Sequence, residues 1–133
     1  MRKVVLLLIS IILFSSCLND DEPNFTYDFL KIDSAETPDS FTFGKTDTIK
    51  IKYTLPNKCY SFSQLYYQYK DSTRVVAVTA LVNLDDTCAE VTKQEEYSFP
   101  VKATQKKDYV FKFFKGKDAD GESIFDEVII PVN

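Results

Sequence analysis

The chain has 133 residues, 44% apolar, 27% charged and 14% aromatic, with a formal charge of −4. That is one domain's worth of sequence, and its acidic balance lacks the positive field that phosphate binding needs, so nucleic acid is not an expected partner. The sequence contains no histidine, which removes imidazole-activated nucleophiles, histidine general bases and histidine-ligated zinc. The aromatic content favours an all-β protein over a helical one.

At the N-terminus, Arg2 and Lys3 supply positive charge, Val4 to Phe14 is an almost unbroken apolar run, and Ser15 and Ser16 precede Cys17. Positive, apolar and small in that order is the layout of a cleaved secretory signal. The apolar stretch falls well short of the roughly 20 residues that a spanning helix needs. A short membrane-embedded helix or a buried strand is the alternative reading.

The Phe14-Ser15-Ser16-Cys17 segment resembles the lipobox of bacterial lipoproteins, with Phe14 standing where leucine is usual. The resemblance implies that residues 1–16 are a signal peptide and that Cys17 is the lipid attachment site and first mature residue. Two or more acyl chains hold a protein firmly on a bilayer, whereas one holds it only marginally. Residues 17–24 then form an acidic tether containing Asp20, Asp21 and Glu22, which an anionic leaflet would repel. This run is similar to the acidic signal of Bacteroidetes-type surface lipoproteins. It implies an outer-membrane, lipid-anchored protein exposed at the cell surface, with a periplasm-facing protein as the second choice. Read without the resemblance, the segment is a solvated tether.

Residues 25–133 carry period-two alternation. Asn24 to Ile32 alternates at Phe25, Tyr27 and Phe29 and then slips phase to Leu30 and Ile32, which predicts a bulge. A short segment follows at Ser40 to Phe43. In Thr46 to Leu55 the apolar set is Ile49, Ile51, Tyr53 and Leu55. Tyr60 to Lys70 mixes aromatics on both faces, and Arg74 to Val82 is apolar on both parities, as for a strand covered on both sides or lying beside a partner surface. Tyr97 to Ala103 alternates again. Pro100 lacks an amide hydrogen, which predicts an edge strand or a bulge there. Tyr109, Phe111 and Phe113 are the inward set of the next segment, and Val128, Ile130 and Val132 that of the last. Turn chemistry at Pro38-Asp39, Pro56-Asn57, Asp85-Asp86 and Asp118 to Gly121 separates these runs.

About seven strands with regular turns predict an antiparallel β-sandwich. In architecture and strand order, residues 25–133 resemble the small immunoglobulin-like domains of Bacteroidetes lipoproteins. Tyr109, at the start of its strand, resembles their tyrosine corner. A transthyretin-like or lipocalin-like arrangement is the competing architecture.

With Cys17 lipidated, Cys59 and Cys88 remain as an even pair in an oxidising compartment, which predicts a disulfide. Two thiolates without histidine make an incomplete zinc site. Gly116 to Ser123 places Asp118, Asp120, Gly121 and Glu127 at positions of a calcium loop. Gly116 offers no carboxylate at position one, however, and the flanks read as strands, so a hairpin turn is favoured. Asp85-Asp86 and Glu95-Glu96 are adjacent carboxylates that point apart and do not face each other across a cleft. Asp33-Ser34-Ala35 and Asp71-Ser72-Thr73 are similar to short O-glycosylation motifs of Bacteroidetes exported proteins.

Neither catalytic residues nor a cofactor site is expected. The expected function is a non-enzymatic, lipid-anchored binding or adhesion module for a glycan or protein. The alternative is a structural or accessory subunit of an envelope assembly, pilus-like or for nutrient uptake. The candidate binding surface is Tyr60, Phe62 and Tyr66, beside Gln64, Gln68 and Lys70; the alternative, which ring-rich strands more often follow, is that these rings cover the second sheet or a neighbouring loop. Cys17→Ala should move the protein from the membrane fraction to the soluble one. Retention of the variant on membranes would overturn the anchor.

Overall fold

The computed structural model describes residues 24–85 and 87–133. The expected signal peptide, Cys17, Asp86 and all of the expected tether except Asn24 lie outside the described residues. Eight strands follow one another: β1 (Phe25–Leu30), β2 (Ile32–Glu36), β3 (Thr46–Leu55), β4 (Tyr60–Lys70), β5 (Thr73–Asn83), β6 (Lys93–Lys102), β7 (Tyr109–Lys117) and β8 (Ser123–Ile130). A five-stranded sheet holds β1, β4, β5, β7 and β8, and a three-stranded sheet runs β2-β3-β6. The expected two-sheet sandwich is therefore present.

The count is eight because the segment predicted as one bulged strand is two. The chain leaves the large sheet after Leu30 and enters the small one at Ile32, with a register shift between Ile32 and Ser34. The phase slip read in the sequence is this crossing. Phe25, Tyr27 and Phe29 stay exposed on one side of it, and Leu30 and Ile32 are buried. Lys115 on β7 fastens the crossing by donating from Nζ to the carbonyls of Ile32 (2.8 Å) and Asp33 (2.9 Å).

The sandwich is also not wholly antiparallel. β4 and β5 form a hairpin through Asp71, whose φ of 54° is left-handed. The returning strand β5 lies beside β7 and runs parallel to it, Thr73 opposite Val110 to Val76 opposite Phe113. A wholly antiparallel immunoglobulin pattern has no such pair.

The inward sets pack as their alternation requires. Ile49, Ile51, Tyr53 and Leu55 meet Val76, Val78 and Ala80 from the facing sheet, with Tyr109, Phe111 and Phe113 alongside. Each of the valine, leucine, isoleucine and phenylalanine side chains contributes roughly 1.5–3 kcal/mol by burial. The short Ser40–Phe43 segment supplies a central plug. Phe41 is fully buried, with its ring 5.1 Å from that of Tyr109, and its backbone is bonded to Pro131 and Asn133. The tyrosine corner is present: the Thr104 amide donates to the Tyr109 phenol oxygen at 3.0 Å, tying the preceding connection to the sheet. β6 bonds only to β3, so Pro100 sits on an edge strand.

Cys59 and Cys88 are disulfide-bonded, with Cα atoms 5.4 Å apart. The bridge holds the connection between β5 and β6 against the start of β4, where Lys58 donates to the Ala89 carbonyl at 3.2 Å. It closes a loop with a sequence separation of 29. Replacing both cysteines by serine should cost about 3–4 kcal/mol by loop entropy and lower the melting temperature by roughly 10 °C or more, read by calorimetry. An unchanged melting temperature would show that the bridge does not constrain the unfolded chain.

Candidate functional site

The two outward faces of the sandwich differ sharply. On the small sheet, the outward positions of β3 and β6 are Lys50, Lys52 and Glu96, and Lys52 lies 3.8 Å from Glu36 and 3.4 Å from Glu96. This is a solvated, charge-paired face. On the large sheet the outward positions are aromatic and apolar. Phe25 is 41% exposed, Tyr27 59%, Phe29 51%, Phe125 37% and Ile129 60%.

A groove of about 570 Å³ runs across the second face. Its form follows from residue size along β5. The outward residues Val75 and Ala77 are small and make the floor, while larger rings rise from the flanking strands. Tyr66 stands on β4, Phe29 on β1, Phe114 on β7 and Phe125 on β8. Their rings are in sequential edge-to-face contact: Phe29 to Tyr66 at 5.3 Å, Phe29 to Phe114 at 6.3 Å, and Phe114 to Phe125 at 6.1 Å. Gln68, Lys70, Asp71, Lys112 and Ser123 add polar groups along the lining. Lys112 also lies 3.9 Å from Glu127.

The three residues expected to form a binding surface do not share one. A register shift between Phe62 and Gln64 reverses the facing of β4 midway. Before the shift, Tyr60 and Phe62 turn inward against the core, and Phe62 stacks on Tyr97 at 4.8 Å. After it, Leu65 and Tyr67 turn inward and Tyr66 turns outward into the groove. The prediction is corrected accordingly: of Tyr60, Phe62 and Tyr66, only Tyr66 belongs to the open aromatic face. Phe29, Phe114 and Phe125 take the places of the other two. Their sequence signals were the phase slip after Phe29, the Phe113-Phe114 doublet and the apolar residues on both parities of β8.

The remaining candidates are turns and strand positions. Asp118 accepts from the amides of Asp120 (2.9 Å) and Glu122 (3.0 Å) through Oδ1, and Gly121 has a left-handed φ of 80°. Glu127 stands away on β8 beside Lys112. Among the described residues no three His, Cys, Asp or Glu side chains converge as metal ligands. Ser72 lies in the β4–β5 turn and Ser34 on the exposed side of β2.

Glu95 and Glu96 fall on opposite faces of β6, as adjacent strand residues must. Glu95 accepts from the buried Tyr53 phenol at 2.9 Å and pairs with Lys93 at 2.7 Å. The bond to Lys93, then that to Tyr53, holds the Glu95 carboxyl below its usual range, while burial and the Glu95 charge push the Tyr53 phenol up.

These elements define a small all-β sandwich with one charged outer face and one aromatic, grooved outer face. The chain belongs to the ORF11 beta-sandwich domain family, which matches residues 49–123, more than half of the sequence. The match takes in β4 to β7 entire, including Tyr66, the groove floor and Phe114. Phe29 and Phe125 lie outside it. No curated protein and no solved structure matches the chain.

Because the folded-state pKa of Glu95 is depressed, its stabilising contribution is present above the ordinary carboxylate range and is lost as pH falls through the depressed value. Tyr53→Phe should raise the Glu95 titration midpoint in a carboxyl-detected NMR titration, so that the acid-side loss of stability from this group is smaller and is complete at a higher pH. A midpoint unmoved by the substitution would contradict the assigned role of the phenol.

Proposed function

We propose that the chain is a non-enzymatic, lipid-anchored envelope lipoprotein whose aromatic groove binds a glycan. The observation that carries this reading is the ring series Tyr66, Phe29, Phe114 and Phe125 on an outward sheet face, interleaved with Gln68, Lys70, Asp71 and Lys112. Aromatic rings stack on the apolar C–H faces of a sugar, and amide, ammonium and carboxylate groups meet its hydroxyls. A groove of about 570 Å³ is within the size range of small-ligand sites. The lipid anchor, the surface location and the acidic tether rest on the N-terminal sequence through Cys17 and the residues after it.

A second reading is favoured by one observation. The apolar face continues past the groove to Phe25, Tyr27 and Ile129, all more than two-fifths exposed, which is more surface than one sugar ring covers. A structural or accessory role, with this face packed on another subunit of an envelope assembly, accounts for that extent.

The two readings separate in one experiment on the full chain. Under the first, a glycan array gives defined hits, and Tyr66→Ala or Phe125→Ala weakens them on the order of tenfold or more without lowering the melting temperature. Under the second, the array is silent and a stoichiometric partner co-purifies, and Tyr27→Ala releases it. Hits untouched by either groove variant would reject the groove as the glycan site.

A further inference from the structure

A second recess lies at the opposite edge of the interior, where edge strand β4 of the large sheet faces edge strand β6 of the small one. Along most of this seam aromatic pairs close the gap: Phe62 on Tyr97 at 4.8 Å and Tyr67 against Phe99 at 5.7 Å. Beyond Phe99 the seam opens into a recess of about 500 Å³.

The first residue of β5 to turn inward, Arg74, lies in this recess and is only 5% exposed. Burying a guanidinium normally requires a carboxylate partner, because an unpaired buried charge is strongly unfavourable. Arg74 has none among the described residues. Its Nη1 donates to the carbonyls of Asp71 (2.7 Å) and Thr73 (3.0 Å), and its Nη2 to Gln105 Oε1 at 3.4 Å. Its Nε–H is buried with no acceptor. Tyr69 and Tyr109 flank the guanidinium, with ring centroids 4.4 and 5.0 Å away. Lys102 also lines the recess, and no aspartate or glutamate side chain does. In a chain with more acidic than basic residues, two cations without a lining carboxylate are a local inversion of charge.

We infer that this recess binds an oxyanion carried on a sugar-sized ring, with Arg74 as the primary anchor and Lys102 at the mouth. Neutral carbonyl acceptors orient the guanidinium without cancelling its charge. The fork therefore keeps an unfilled donor for a carboxylate, sulfate or phosphate, which match its geometry. Tyr69, at 72% the most exposed aromatic ring among the described residues, covers the guanidinium and must turn aside to admit the anion. Tyr67 and Phe99 form the apolar inner end of the recess, against which the body of the ligand would pack. Burial pushes the Tyr67 phenol up to about 12, against the opposing pull of the Arg74 guanidinium beside it and its hydrogen bond to that group, so it stays neutral at ordinary pH. The site is separate from the groove on the outer face and does not rest on the glycan reading given above.

The test follows the Arg74 side-chain Nε–H resonance by NMR in the isotope-labelled full chain during titration with glucuronate, glucose 6-phosphate and neutral glucose. A saturable downfield shift with one or both anions, and none with glucose, is the expected result. The anion that saturates at lower concentration distinguishes a carboxylate-bearing from a phosphate-bearing ligand. Lys102→Ala, at an exposed position, should weaken the response several-fold, and Arg74→Lys, followed on the Thr104 backbone amide of the same recess because the Nε–H is lost, should weaken binding on the order of tenfold by losing the fork. Equal response to glucose, no saturable shift with either anion, or full affinity in Lys102→Ala would overturn the assignment. Should Arg74→Lys fail to fold, the Lys102 variant and the neutral-sugar control still decide it.

Discussion

The rest of the structure depends on β5 being covered on both faces at once. It bonds to β4 along its length on one side, and to β7 and then β1 on the other, so every strand of the large sheet except β8 is registered on it. Its inward residues Val76, Val78 and Ala80 build the core, and its outward Ala77 and Thr79 are buried as well. A strand in that position must be apolar on both parities, and its outward residues must be small if the neighbouring rings are to close over them. The groove is what remains between those rings.

That arrangement also divides the two outer faces by chemistry. The small sheet exposes lysines and glutamates paired across strands, each pair worth little but together well solvated. The large sheet exposes rings, whose burial would contribute far more per residue. A monomer gains nothing from keeping Phe29, Tyr27 and Ile129 in water, and it is on this asymmetry that the proposed binding role rests.

The seam between β4 and β6 completes the body by different means. Among the described residues no backbone hydrogen bonds join those edges. Aromatic pairs hold them together, and the register shift after Phe62 is what brings Phe62, Leu65 and Tyr67 all to the inner side despite their mixed parity. The same shift sends Tyr66 outward. One irregularity thus supplies both the closing of the sandwich and one wall of the groove, while the end of the seam leaves Arg74 facing a recess.

The all-β class, the inward sets of β3, β6, β7 and β8, the confinement of Pro100 to an edge or a bulge, and the Cys59–Cys88 pair are legible in the sequence alone. These follow from period-two alternation, a missing amide hydrogen and an even cysteine pair, all local or countable properties. Tertiary structure alone decided that Leu30 and Ile32 lie in different sheets, that β5 runs parallel to β7, and that Tyr60 and Phe62 turn away from Tyr66. Alternation records that a side chain changes face but carries no label for which sheet that face belongs to. A bulge and a sheet crossing therefore look alike in sequence, and only the packing of distant strands tells them apart.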